Sequence, residues 1–169
     1  GGLLAYGYYS GENITMLNEG RLAFLRTAES KFNLANFMKV NLYTSLGAVK
    51  MGLDILMDDE KVKVEKIMGH GGFFKTKGVG QRILAAALNT PISVMETAGE
   101  GGAWGIALLA AYRIRQAADL SLPQYLEECV FAGNTGTEIA PDTDDVAGFN
   151  VYMQNYKADL PVEHSAVQN

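Results

Sequence analysis

With 169 residues, 48% of them hydrophobic and 20% charged, the chain has the size of one globular domain able to bury a core, and a single folded unit is expected. A net charge of −5 argues against a nucleic-acid partner, because phosphates require a positive surface. One cysteine excludes an internal disulfide, and two histidines, His70 and His164, are too few for a histidine-based zinc site, so no metal-ligand set is expected.

In chain order, Leu3 to Tyr9 is apolar and aromatic and reads as a strand. Tyr6, Tyr8 and Tyr9 could stack on a sugar, but aromatics in a half-buried strand more often fill a core. Asn18-Glu19-Gly20 is a turn before Leu22 to Leu25, and Ser30 is a helix N-cap candidate. Phe32 to Met57 reads as one long helix, because Phe37, Leu42, Leu46, Val49, Leu53 and Leu56 recur at helical steps and no proline interrupts. Gly47 and Gly52 each cost about 1 kcal/mol relative to alanine there, which points to close packing. A strand at 64–68, a glycine turn and a helix at 78–89 follow, stopped by Asn89-Thr90-Pro91.

The next strand is 92–95, then a second glycine-rich turn and a helix at 102–118, where Gly105 is read as a packing glycine near the sheet. Ser121-Leu122-Pro123 starts a short helix to Val130, and Cys129 at its end reads as a buried thiol. Gly133 to Asp145 is polar and reads as loop, Asp144 to Tyr156 as a last helix, and residues after Pro161 as a frayed tail. No apolar run has the length of a membrane span and no leader-like segment opens the chain, so the expectation is a cytoplasmic protein with no membrane partner.

Chemistry concentrates at the first glycine turn, Gly69-His70-Gly71-Gly72-Phe73-Phe74-Lys75-Thr76. Phe74 stands where a P-loop needs its second glycine and where G-x-G-x-x-G needs its third, so neither motif applies. A glycine turn between strand and helix serves equally as a tight connection or as a site where bare N–H groups face an anion. The second unit, running from Pro91 through Glu96-Thr97-Ala98-Gly99-Glu100-Gly101-Gly102 into a small-residue helix, favours the site, because parallel strands joined by a helix bring both turns to one sheet edge.

These residues carry a resemblance. Gly71-Gly72-x-x-Lys75-Thr76, Gln81-x-Ile83-Leu84-Ala85 and Glu100-Gly101-x-x-x-Gly105-x-Ala107-Leu108-Leu109-Ala110 resemble the C-terminal lobe of the FGGY carbohydrate kinases, in particular the xylulokinases. Gly2-Leu3-Leu4 through Ser10-Gly11-Glu12 resembles the family's Gly-Leu-Leu-x-x-Pro-Tyr-x-Ser-Gly-Glu-Arg stretch, and the likeness runs from residue 2 to about 158. Phe73 stands where many relatives have a third glycine, Gly80 replaces the bulky residue before the helix glutamine, and Asn13-Ile14-Thr15 replaces Arg-Thr-Pro.

The resemblance implies an α/β fold, part of an actin-like ATPase or ribonuclease H-like lobe, with residues 1–160 as the nucleotide-binding portion and 161–169 as tail. It implies ATP and Mg²⁺ as cofactors and phosphorylation of a ketose such as xylulose, with the catalytic base and the sugar-binding lobe outside this chain, which then looks like the C-terminal portion of a longer kinase, inactive by itself. The cofactor-binding candidates are Gly71, Gly72, Phe73, Lys75, Thr76 and Glu100, with no catalytic residue among them. Phe73 would wall the base, Lys75 is either a ligand or a solvated lysine, and Glu100 either binds ribose or, more simply, caps a helix. The expected partners are a small-molecule sugar and a second copy of the chain in a homo-oligomer. A non-catalytic nucleotide or sugar sensor on the same lobe is the alternative reading.

Overall fold

The computed structural model describes residues 1–65, 67–96, 98–115, 120–133 and 136–168, and of Glu100 the backbone. Instead of one unit the chain forms two: Gly1–Glu65 with Ile83–Thr90 and Pro141–Asn169, and Lys66–Arg82 with Pro91–Ala140.

In the first unit, β1 (Leu3–Tyr6) pairs antiparallel with β2 (Ala23–Arg26) in the register Leu3 to Arg26. All four β1 residues are buried, which matches its unbroken apolar run. Tyr9, at the end of the expected strand, is exposed. Ser30 does not cap a helix: its hydroxyl accepts from Thr27 N–H at 2.9 Å and donates to Gly2 O at 2.7 Å. Asn33 caps α1 (Leu34–Thr44) instead, its side chain accepting from Asn36 N–H at 2.9 Å.

The expected long helix breaks at Ser45-Leu46, where α1 ends and α2 (Gly47–Asp54) begins. Packing causes the break. Gly47 lies against the Tyr156 ring, so that a Cβ there would sit 2.6 Å from Cζ, while the Ser45 hydroxyl donates back to Leu42 O at 2.7 Å. A widened turn, Ile55–Asp59, follows.

The core of this unit is aromatic. Phe149, Tyr152, Met153 and Tyr156 of α6 (Thr143–Ala158) are buried, and the Phe149 and Tyr152 rings lie 4.8 and 5.2 Å from that of Tyr43. Tyr6 donates from its hydroxyl to Tyr156 O at 2.7 Å, and the Tyr8 and Tyr156 hydroxyls share a hydrogen bond. The expected tail is a helix, α7 (Leu160–Val167). Pro161 falls in its first turn, where a missing N–H costs little, and Glu163 is fully buried with Oε1 accepting from Arg21 N–H at 2.7 Å.

Burial raises the Tyr6, Tyr152 and Tyr156 hydroxyls well above their ordinary value, with the charge of Asp159 adding to the effect at Tyr6 and the Tyr8 hydrogen bond at Tyr156. A neutral acid whose folded pKa is raised contributes stability that is complete below its unfolded pKa and is lost as pH climbs above it. Thermal melts at rising pH should therefore show a fall in Tm beginning near pH ~10, the ordinary tyrosine value. A Tm flat from pH 9 to 11.5 would contradict this burial.

In the second unit, β3 (Ile67–Gly69) and β4 (Ile92–Val94) are parallel, with Ile67 opposite Ile92. The joining helix α3 (Val79–Leu88) divides, its residues up to Arg82 belonging to this unit and the rest to the first. α4 (Gly101–Arg115) begins after the second glycine turn, with Trp104 5.9 Å from Phe131. Gly105 is not a packing glycine among the described residues, since a Cβ there meets none of their atoms within 4 Å outside its own helix backbone. α5 (Leu122–Tyr125) starts at the expected Ser121, in a capping box with Gln124, and passes into a widened turn, Leu126–Val130, that leaves Cys129 exposed rather than buried.

The stretch read as loop contains a fifth strand, β5 (Thr137–Ile139), antiparallel to β4 with Val94 opposite Thr137. Sheet order is β3-β4-β5, and Ile92 on the central strand is completely buried. Among the described residues no helix is long and apolar enough to cross a membrane.

Candidate functional site: a cleft between two glycine turns

Parallel β3 and β4 deliver their following turns to the same sheet edge, as the spacing of the two units requires. The turns touch: Gly71 N–H donates to Ala98 O at 2.6 Å. Gly71 has φ +102° and ψ −179°, a conformation open essentially to glycine alone, and this swings its amide toward the second turn. Gly72 then opens a 3-10 turn, Gly72–Phe74, closed by Phe74 N–H to Gly71 O and Lys75 N–H to Gly72 O, both at 3.1 Å. Gly78 at φ +78° redirects the chain into α3 and accepts the amide of Arg82 at 3.0 Å.

The paired phenylalanines are explained by two glycines. The Phe74 ring covers Gly69, and the Phe73 ring and carbonyl cover Gly80, where a Cβ would sit 2.7 Å from Phe73 Cδ1. Phe73, expected to wall a base, therefore packs against Gly80 of α3 and is not part of the cleft lining described below. Bulk moved into the turn at Phe73 is matched by bulk removed from α3 at Gly80.

A cleft of about 500 Å³ opens here, within the range of small-ligand sites. Phe74, Val94, Met95 and Ala98 give it apolar walls, Lys75 and Lys77 two exposed cations, and Glu96 a carboxylate. Gly78, Gly99, Gln81 and Thr137 complete the lining. Gln81 is buried and joins three elements. Its Nε2 donates to Ile92 O and to Thr137 O, both at 2.7 Å, tying α3 to β4 and β5.

Of the expected binding residues, Lys75 lines the cleft. Gly71 and Gly72 form the turn beside it with open space at each Cβ position, Thr76 is exposed outside the lining, and Phe73 faces α3. Glu100 closes the second 3-10 turn, Ala98–Glu100, with its backbone, while its side chain lies outside the described residues. Sequence reasoning missed Phe74, Lys77, Gly78, Gln81, Val94, Met95, Glu96, Ala98, Gly99 and Thr137. The rule that ligands sit at the carboxyl ends of parallel strands would have found Val94, Met95 and Glu96. Thr137 carried no local signal.

Chemically, apolar walls with two lysines and a bare glycine turn suit an anionic ligand with a flat apolar part. Among the described residues no three His, Cys, Asp or Glu side chains gather as a metal site.

Residues 1–114 match the family model described as the FGGY family of carbohydrate kinases, C-terminal domain. No curated protein matches the sequence. Among solved structures, a ligand-bound xylulose kinase from Lactobacillus acidophilus superposes with TM-score 0.68 at 17% identity, over 92% of this chain and 30% of that one. A xylulose kinase from Rhodospirillum rubrum gives 0.66 at 17% identity, over 99% and 32%. A gluconate kinase from Lactobacillus acidophilus gives 0.67 at 17% identity, over 97% and 32%. The chain thus spans about a third of the length of these proteins. Likeness at such identities shows the fold, an α/β part of the actin-like ATPase architecture.

Proposed function

Because the chain belongs to the FGGY family of carbohydrate kinases, through their C-terminal domain, we propose that its cleft binds ATP for phosphoryl transfer to a sugar hydroxyl by a longer two-lobed kinase. The observation that carries this reading is the contact between the glycine turns, Gly71 N–H to Ala98 O, which places Lys75 and Lys77 beside an apolar-walled cleft. The apolar walls take the nucleoside and the lysines take phosphate charge, while Gly71, its N–H given to Ala98 O, and Gly72 leave open space beside them. Mg²⁺, when bound with ATP, neutralises charge on the transferring phosphoryl group and is held chiefly by phosphate oxygens with one or two carboxylates. Among the described lining residues Glu96 is the carboxylate, and it is exposed, with nothing that marks it as the base for a sugar hydroxyl. The base and the sugar contacts are assigned to the rest of the kinase.

The acceptor we propose is a ketose such as xylulose, in keeping with the xylulose kinases among the structural relatives, and the gluconate kinase among them supplies the competing acceptor. The setting we propose is the cytoplasm. Self-association is supported by half-exposed Phe24, Phe32 and Phe37, whose rings contact one another, rather than by β1, which is buried.

Titration with ATP and Mg²⁺ tests the reading. Nucleotide at 100 times its Kd should stabilise the chain by about 2.7 kcal/mol. Lys75→Ala should weaken binding several-fold, and the 169-residue chain should release no ADP when xylulose or gluconate is added. Absence of any nucleotide-dependent shift would remove the proposal. Sugar-dependent turnover at an ordinary enzyme rate would require a base within this chain.

A further inference from the structure

We propose that Gln81 and Thr137 form a relay that makes the cleft prefer a nucleobase presenting an amino group over one presenting a carbonyl at the same place. The proposal rests on the nucleotide reading above and adds the residues that select the base.

The amide of Gln81 is buried, and its Nε2 lies 2.7 Å from both Ile92 O and Thr137 O. Two carbonyl oxygens can be met only by an NH₂ group, so the amide orientation is settled and Oε1 is the atom left for Thr137 Oγ1, 3.3 Å away. Oε1 has no hydrogen, so the Thr137 hydroxyl must donate. Its other inward neighbour, Val94 O at 3.5 Å, is again an acceptor. Whichever of the two it meets, the hydroxyl proton points inward.

Thr137 lines the cleft, so what its hydroxyl offers a ligand is lone pairs and no proton. A ligand group facing it gains a hydrogen bond by donating and leaves two acceptors opposed if it carries a carbonyl. Among purine nucleotides this separates a 6-amino from a 6-oxo base. A site built to receive one polar group rejects the analogue that lacks it, and the exposure of Thr137 reduces the discrimination to about tenfold, one hydrogen bond's worth.

The test compares ATP with ITP by calorimetric titration of the 169-residue chain, without turnover. The unaltered chain should bind ATP about tenfold more tightly than ITP. Thr137→Val, which keeps the side-chain shape without the hydroxyl, should bring the ratio close to one, and Thr137→Ser should restore it. Gln81→Met leaves Val94 O, at 3.5 Å, as the inward acceptor for the Thr137 proton and should lower the preference without abolishing it, read on samples whose thermal melt shows them folded. Equal affinity for ATP and ITP, or a Thr137→Val variant that keeps the preference, overturns base selection while the nucleotide reading stands. Binding of neither nucleotide overturns both.

Discussion

Phe149→Ala is expected to cost about 3–5 kcal/mol, the range for deleting a fully buried phenylalanine. Its ring has no exposed surface and lies edge-on to Tyr43 at 4.8 Å and tilted to Tyr152 at 5.7 Å, so truncation leaves a cavity between two rings, each with its own partners. Tyr152 also contacts Tyr156, whose ring presses on Gly47 at the start of α2, so collapse into the cavity would disturb the helix break. Against a total stability of 5–15 kcal/mol for ordinary domains, such a loss removes a large part. Urea titration followed by near-ultraviolet circular dichroism should show the midpoint falling sharply, whereas Phe24→Ala, at a residue 38% exposed, should move it far less. Similar losses at the two positions would mean that the aromatic core is not organised as described.

The second large effect is expected at Gly80. Gly80→Leu places a Cβ against the carbonyl and ring of Phe73, and the carbonyl belongs to a 3-10 turn that cannot retreat without opening Gly72–Phe74. Overpacking of this kind costs on the order of 1–3 kcal/mol. Phe74, which lines the cleft, moves with the turn, so ATP binding should weaken in proportion to the loss of stability. The double variant Phe73→Gly/Gly80→Leu removes the ring but leaves the residue-73 carbonyl against the new Cβ, so it should recover the ring's share of both losses. A thermal-melt double-mutant cycle reads the coupling. Additive losses would show that Phe73 and Gly80 are independent, and the compensating swap would fail as an explanation of the two departures.

Local signals in the sequence settled the elements whose physics is local. Glycines at positive φ, a helix-compatible apolar period after each turn, and Ser121 with Pro123 and Gln124 at a helix start act within a few residues, so the two strand-turn-helix units, α5 and α6 were legible, as was the family likeness. The nearness of the two glycine turns was legible too, because parallel pairing through a helix leaves both at one edge.

Tertiary contacts decided the rest. The apolar period runs through Ser45-Leu46 without a fault, and the helix breaks there because Tyr156, distant in sequence, occupies the space beside Gly47. Pro161 looks like the end of order, yet α7 forms because Glu163 finds the Arg21 amide. Thr137 sits in a polar stretch with no strand pattern and becomes β5 because the edge of β4 and the Gln81 amide supply its hydrogen bonds, which in turn makes it a wall of the cleft. Phe73 and Phe74 are adjacent and equally apolar, and only the positions of Gly69 and Gly80 in space determine which ring lines the cleft and which packs on the helix. For Gly47, Glu163 and Thr137 the deciding partner lies far along the chain, where composition, period and spacing carry no information about who will meet whom.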